Sequence, residues 1–466
     1  MNKIQSINAN PVRFYNLNTS KNASLPINNN RPTSNFQFSN IPFSSAATVS
    51  LNTTLNKDEI NKYSAVLDLL KDEKPTETSF NLTPLQQMDK LLKSGKLLSK
   101  ANDGSSMLDN LYEIATEKRA EDLNQKNLIK NILDNTLNPR IITQTLGDIP
   151  KEEVDNILKQ LPDNDSLKKN PEMMSVVTSG TCPAASNEVN LADKNPAEYS
   201  RWVNSLSSDK KSVTLNVDLK SICSNKLDAC MILNMLGANV KKFGFDKTKV
   251  EIKLDPNAFI RAKLQDNHWD LGERNVADVL VQSAIMQAGS QNTYNSLTDM
   301  RAGDFSTNPK GLIEVEKTFV ESLIKNQEIT SLVYQIIDEN QNLVGHTCSF
   351  DKMEKHIKDS IDSGNNVIIG YVLTNETVGK VASGLYNPMT DGPKNRVING
   401  HEITIVDYKT DKNGKTTFVC IDTDDDSPEY VEYSADWLLP KIHHAGYPAK
   451  IVENDEKEIM KKANML

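Results

Sequence analysis

The chain has 466 residues, which at roughly 150 per domain implies about three domains. Hydrophobic residues make up 38%, below the ~45–50% of a compact globular protein, so part of the chain is expected to lie outside a packed core. Fifty-three basic against sixty-two acidic side chains give a net charge of -9, which argues against a nucleic-acid partner, and five cysteines without a CxxC pair argue against a disulfide framework or a zinc finger.

Residues 1–55 contain twelve Asn among many Ser and Thr, with apolar residues scattered without a period. Such a segment buries too little to offset its ordering entropy and is expected to be a disordered tail. The start, Met1 to Asn8, has no apolar h-region, and no run approaches the ~18–20 apolar residues that cross a bilayer. The expected location is the cytoplasm, or outside the cell by a non-Sec route.

Residues 56–165 read as a helical domain. Ile60, Tyr63, Leu67 and Leu70 recur at helical spacing. Thr83 caps the next helix, Pro84 takes its first position, Gln86 sits at N3 and Gly95 ends it. Further helices are predicted over 107–123, 125–136 and 150–161. No titratable cluster stands out here, so a structural, docking or inhibitory role is expected, with a protein partner.

From 166 to 453 strands mix with helices, which predicts an α+β domain. Val213, Leu215, Val217 and Leu219 alternate as strand residues do, as does the run 249–254. Residues 276–288 form an apolar helix. Strands are predicted near 331–337, 365–373, 402–408, 416–422 and 448–453, with Lys412-Asn413-Gly414 as a hairpin turn. Residues 454–466 form a C-terminal helical tail.

Three stretches carry candidate chemistry. In Thr178-Ser179-Gly180-Thr181-Cys182-Pro183-Ala184, a short loop enters a helix at Cys182, where the helix dipole and free N–H groups favour a thiolate. Asn399-Gly400 reads as a turn that puts His401 at the mouth of a strand. Asp422 ends the following strand, at the same end if the two are hairpin partners, and is expected to accept the Nδ1 proton of His401 and orient its ring. Cys348 lies near His346 but has no evident acidic orienter. Cys223 and Cys230 read as core or helix residues, and Trp437 as packing. The adjacent His443 and His444 should point to opposite sides of a regular helix or strand, so no shared metal site is expected.

The order of a Cys at a helix start, a His at a strand start and an Asp at the end of the next strand resembles the papain-like cysteine peptidase superfamily. Two segments add to it. The helix after Glu273-Arg274-Asn275, with its tail Gly289-Ser290 and the displaced Tyr294, is similar to the calpain core. Ser363-Gly364-Asn365-Asn366-Val367-Ile368-Ile369-Gly370 is similar to the strand before the catalytic His in calpains and bacterial double-glycine-type peptidases. The resemblance implies a papain-like fold over roughly 170–453. It implies Cys182 as nucleophile, His401 as general base and Asp422 as orienter, acting on a polypeptide substrate with neither cofactor nor metal. The family places an oxyanion-hole Gln six residues before the Cys; here that position is Val176. The donors are then expected to be the Cys182 N–H with Ser179 or Thr181. A transglutaminase, acyltransferase or deamidase using the same triad, and an inactive papain-like binding module, are the alternatives.

Overall fold

The computed structural model describes residues 55–174, 180–223, 233, 239–242, 247–301, 311–376, 387–424 and 430–463. Residues 1–54 of the tail expected over 1–55, Val176, Ser179 and Cys230 lie outside these. The protein is a mixed α/β chain whose sheets are antiparallel.

The first helices are set by local capping. In α1 (Lys57–Leu70), α2 (Pro84–Lys93) and α3 (Met107–Thr116), the N-caps Asn56, Thr83 and Ser106 each form a capping box with the residue at N3. These boxes satisfy amide groups that the helix itself cannot. Gly95, at φ 75°, follows α2 as expected.

The helix expected over 107–123 stops at Thr116, where Glu117 turns extended. Tertiary partners end it. The buried guanidinium of Arg119 donates to the carbonyls of Glu113 and Glu117 and to Asn204. The Gln125 amide donates to the carbonyls of Ile114 and Ala115. Two further helices, α4 (Gln125–Leu137) and α5 (Lys151–Gln160), follow.

The helical segment does not close a core of its own. Leu111, Leu128, Ile132 and Leu133 pack in one continuous cluster with Trp202 and Leu206 of α7 (Pro196–Ser207) and Leu280 and Ala284 of α9 (Val276–Gly289). Helix α8 (Ala258–His268) lies beside α9. Helix α9 is buried on every side, with Ala288 its only residue not fully buried, and its buried polar side chains are met by partners: Asp278 by Asn135, Gln282 by the Thr143 carbonyl and Ser283 by Asp255. Strands β1 (Ser212–Asp218), β2 (Asn239–Lys242) and β3 (Lys247–Lys253) form a small sheet, order β1-β3-β2, against the same cluster.

The larger sheet holds a second core. Its strands are β4 (Ile329–Val333), β5 (Val367–Thr374), β6 (Val397–Thr410), β7 (Thr416–Ile421), β8 (Val431–Ser434) and β9 (Ile442–Pro448), in the order β8-β7-β6-β5-β9-β4. Ile369, Ile403, Phe418 and Ala445 pack with Met353 and Ile357 of α11 (Phe350–Asp362). The sheet also meets α6 (Cys182–Lys194) and α10 (Glu314–Lys325).

Two expected strands are shifted. The segment expected over 331–337 breaks at Tyr334: its N–H still bonds the His443 carbonyl in register with β9, while 335–337 pair instead with 343–346. The strand expected over 448–453 instead spans 442–448, buried along its whole length between β5 and β4, while 449–452 form a helical turn. The histidines within it hid its interior position.

Candidate active site

Cys182 is the first residue of α6, after Thr181 at the N-cap and before Pro183 at a position that needs no N–H. Residues 183–192 of α6 are all buried, so the helix is held rigidly under the thiol. The Cys182 side chain itself is partly exposed. Its loop is pinned from below by Arg274, a fully buried guanidinium paired with Asp299 at 3.1 Å. Arg274 also donates to Thr181 Oγ1 and to the Gln144 carbonyl. Tyr294 reaches Asp299 and Arg274 in the same network. Beside it, the Gly180 carbonyl approaches Gly311 so closely that a Cβ there would sit 2.2 Å from the oxygen.

His401 and Asp422 come from the β6–β7 hairpin. Asp411 accepts from the N–H groups of Asn413 and Lys415 across the turn, and Gly414 takes φ 80°. Thr404 faces Ile421, which leaves Asp422 beyond the last pair at the His401 end. Asn399-Gly400 is not a turn. It lies within β6, where 397–401 pair with β5, and His401 stands opposite Tyr371 inside the strand rather than at its mouth.

The carboxylate of Asp422 lies 2.7 Å from His401 Nε2, both side chains being little exposed. Asp422 therefore engages Nε2, not the Nδ1 expected from sequence, which leaves Nδ1 for the thiol. Burial pulls the His401 pKa down, but the charge and hydrogen bond of Asp422, together with the neighbouring Cys182, hold it well above the ordinary histidine value. Burial likewise pushes the Asp422 carboxyl up. The His401 charge outweighs that, helped by the Asp424 N–H and the Tyr433 hydroxyl, and holds it below the ordinary value. The Tyr371 ring meets His401 edge-on at 5.8 Å, and Trp437, stacked on Tyr433 at 4.7 Å, is 40% exposed at the rim. Trp437 also lies edge-on to Tyr371 at 6.5 Å, with Lys441 over its ring.

Of the expected oxyanion donors, Ser179 lies outside the described residues, and Thr181 is buried with its hydroxyl on Arg274. Sequence reasoning missed Gln144. Its N–H donates to the Thr423 carbonyl, one residue after Asp422, and its own carbonyl receives Arg274, the group that also holds Thr181. The residue is thus clamped between the two halves of the site, 38 positions before the cysteine in sequence, where no short motif could reveal it.

The other cysteines are placed differently. Burial pushes the Cys348 thiol up to about 11, and its neighbour His346 bonds the Pro440 carbonyl instead. Cys420 is fully buried in β7, and Cys223 packs at the edge of the first core. His443 and His444, expected to diverge, converge, because β9 carries a register shift between Ile442 and His444. Comparison with protein-family models gives no match, nor does comparison with curated proteins.

Proposed function

We propose that the chain is a papain-like thiol hydrolase that cleaves amide bonds in a polypeptide through an acyl-enzyme on Cys182. The observation that carries this is one His401 ring set between a helix-start cysteine and a carboxylate 2.7 Å away. His401 Nδ1 takes the thiol proton, and the sulfur adds to the carbonyl carbon. The tetrahedral intermediate collapses as the same nitrogen passes the proton to the leaving amine. Water, deprotonated by His401, then releases the acid and restores the thiol. Asp422 holds the ring and the positive charge that forms on it.

The carbonyl oxygen, negative in the intermediate, needs preorganised donors. On this reading they are the Cys182 N–H, free at the helix start, and the Gln144 amide, which takes the place of the family's upstream Gln.

An electrophilic epoxide or iodoacetamide tests the reading. Selective labelling of Cys182 that is lost in His401→Ala supports it. Equal, slow labelling of all five cysteines refutes it. The mass of the product then separates hydrolysis from transfer to an amine.

A further inference from the structure

Three strands bring one row of side chains together next to the candidate active site. Glu402 on β6 pairs with Gly370 on β5, and Gly370 pairs with His444 on β9. A Cβ at Gly370 would lie 2.2 Å from His444 Cε1. Its absence lets the imidazole lie across β5, with Nε2 3.2 Å from Glu402 Oε1. Lys317 of α10 approaches the other oxygen of Glu402 at 3.4 Å and matches its charge. Nε2 of His444 is thus held against Glu402, and Nδ1 is the ring nitrogen turned toward His443.

The register shift at His443 turns its ring to the same side, where its Nδ1 is 2.9 Å from His444 Nδ1. Glu314, the first residue of α10, closes the group with Oε2 4.0 Å from His444 Nδ1. Ser331 donates to its other oxygen. One ligand atom from each of Glu314, His443 and His444 lies within 4.8 Å of the others.

We propose that Glu314, His443 and His444 bind one divalent transition-metal ion, zinc by preference, at a site distinct from the thiol. Two imidazoles and a carboxylate form a borderline donor set suited to zinc, whereas calcium and magnesium take all-oxygen sets. Two nitrogens each ~2.05 Å from a tetrahedral ion stand about 3.3 Å apart, so the histidine pair opens by only a few tenths of an ångström. Glu402 supplies the outer carboxylate that fixes a metal-bound histidine, and Ser331 does the same for Glu314. Glu314 keeps 18% of its side chain exposed, which leaves a route for the ion and a position for water. The ion would tie the start of α10 to β9 and, through Glu402, to the strand that carries His401.

The test uses full-length Cys182→Ala protein, so that the thiol cannot serve as a ligand, stripped with a chelator and titrated with cobalt and then zinc. One equivalent of cobalt should give visible d–d absorption that zinc abolishes, and zinc should raise the melting temperature. Glu314→Gln, an isosteric change at the most exposed ligand, should melt like the metal-free parent, lose the zinc-dependent rise and bind at least tenfold more weakly; His443→Gln should also weaken binding. Glu402→Gln should weaken binding by ~10–100-fold. No cobalt spectrum and no zinc-dependent melting shift in the parent, or parental binding in both ligand variants, would overturn the site in favour of a metal-free relay in which His443 Nδ1–H donates to His444. Labelling of Cys182 in the wild type is a separate readout, so this site and the thiol chemistry stand or fall independently.

Discussion

Replacing Asp422 by Asn keeps the side-chain shape and removes one charge 2.7 Å from His401 Nε2. The two side chains are 12% and 13% exposed, so water screens the pair little. A hydrogen bond to a charged group contributes about 1.5–3 kcal/mol. At ~1.4 kcal/mol per decade, its loss should slow alkylation of Cys182 by roughly 10–150-fold. The pH dependence has a definite sign. Burial lowers the His401 pKa and Asp422 more than offsets it, so Asp422→Asn should move the limb on which His401 loses its proton to lower pH. The stability that the raised His401 pKa supplies is complete below about pH 6.5 and fades as pH rises through the folded value. The stability from the lowered Asp422 pKa is complete above about pH 3.9 and fades as pH falls through the folded value. Between those limits both contribute, and there the variant should lose most stability. The assay is the second-order rate of iodoacetamide alkylation against pH, read by mass spectrometry at Cys182, with Asp424→Asn as control. An unchanged rate and an unmoved limb in Asp422→Asn would refute the orienting role.

Two further outcomes are expected. Gln144→Ala should slow acylation by an activated ester by ~10²–10³-fold while leaving iodoacetamide alkylation unchanged, since only the first passes through an oxyanion; equal loss in both assays would make Gln144 a packing residue. A chain beginning at 166 should fail to give a cooperative melting transition, because it loses Leu128, Ile132 and Leu133 from the shared core, each a deletion of about 2–5 kcal/mol, against a whole-domain stability of ~5–15 kcal/mol. A sharp transition in that fragment would show that the helices are dispensable.

The parts legible in the sequence are those set by neighbours along the chain. The Thr83–Gln86 capping box, the Asn413-Gly414 turn and Cys182 at a helix start all depend on residues within a few positions. His401 and Asp422 could be placed at one end of the sheet because a short hairpin fixes their register. What stayed hidden depends on distant partners. Helix α3 ends where Arg119 meets Asn204, 85 residues on. Gln144 is positioned by the Thr423 carbonyl. The convergence of His443 and His444 comes from a register shift that no local pattern announces.

The core shared by α4 and α9 has a consequence during synthesis. Helix α4 is complete at Leu137, but its later partners α6, α7 and α9 end only at Lys194, Ser207 and Gly289, the last about 150 residues later. At ~5–20 residues per second, the apolar face of Leu128, Ile132 and Leu133 is not fully covered until roughly 8–30 seconds later. The nascent chain therefore passes through a stage in which its earliest helices are the surface most in need of a chaperone, well before His401 has been made.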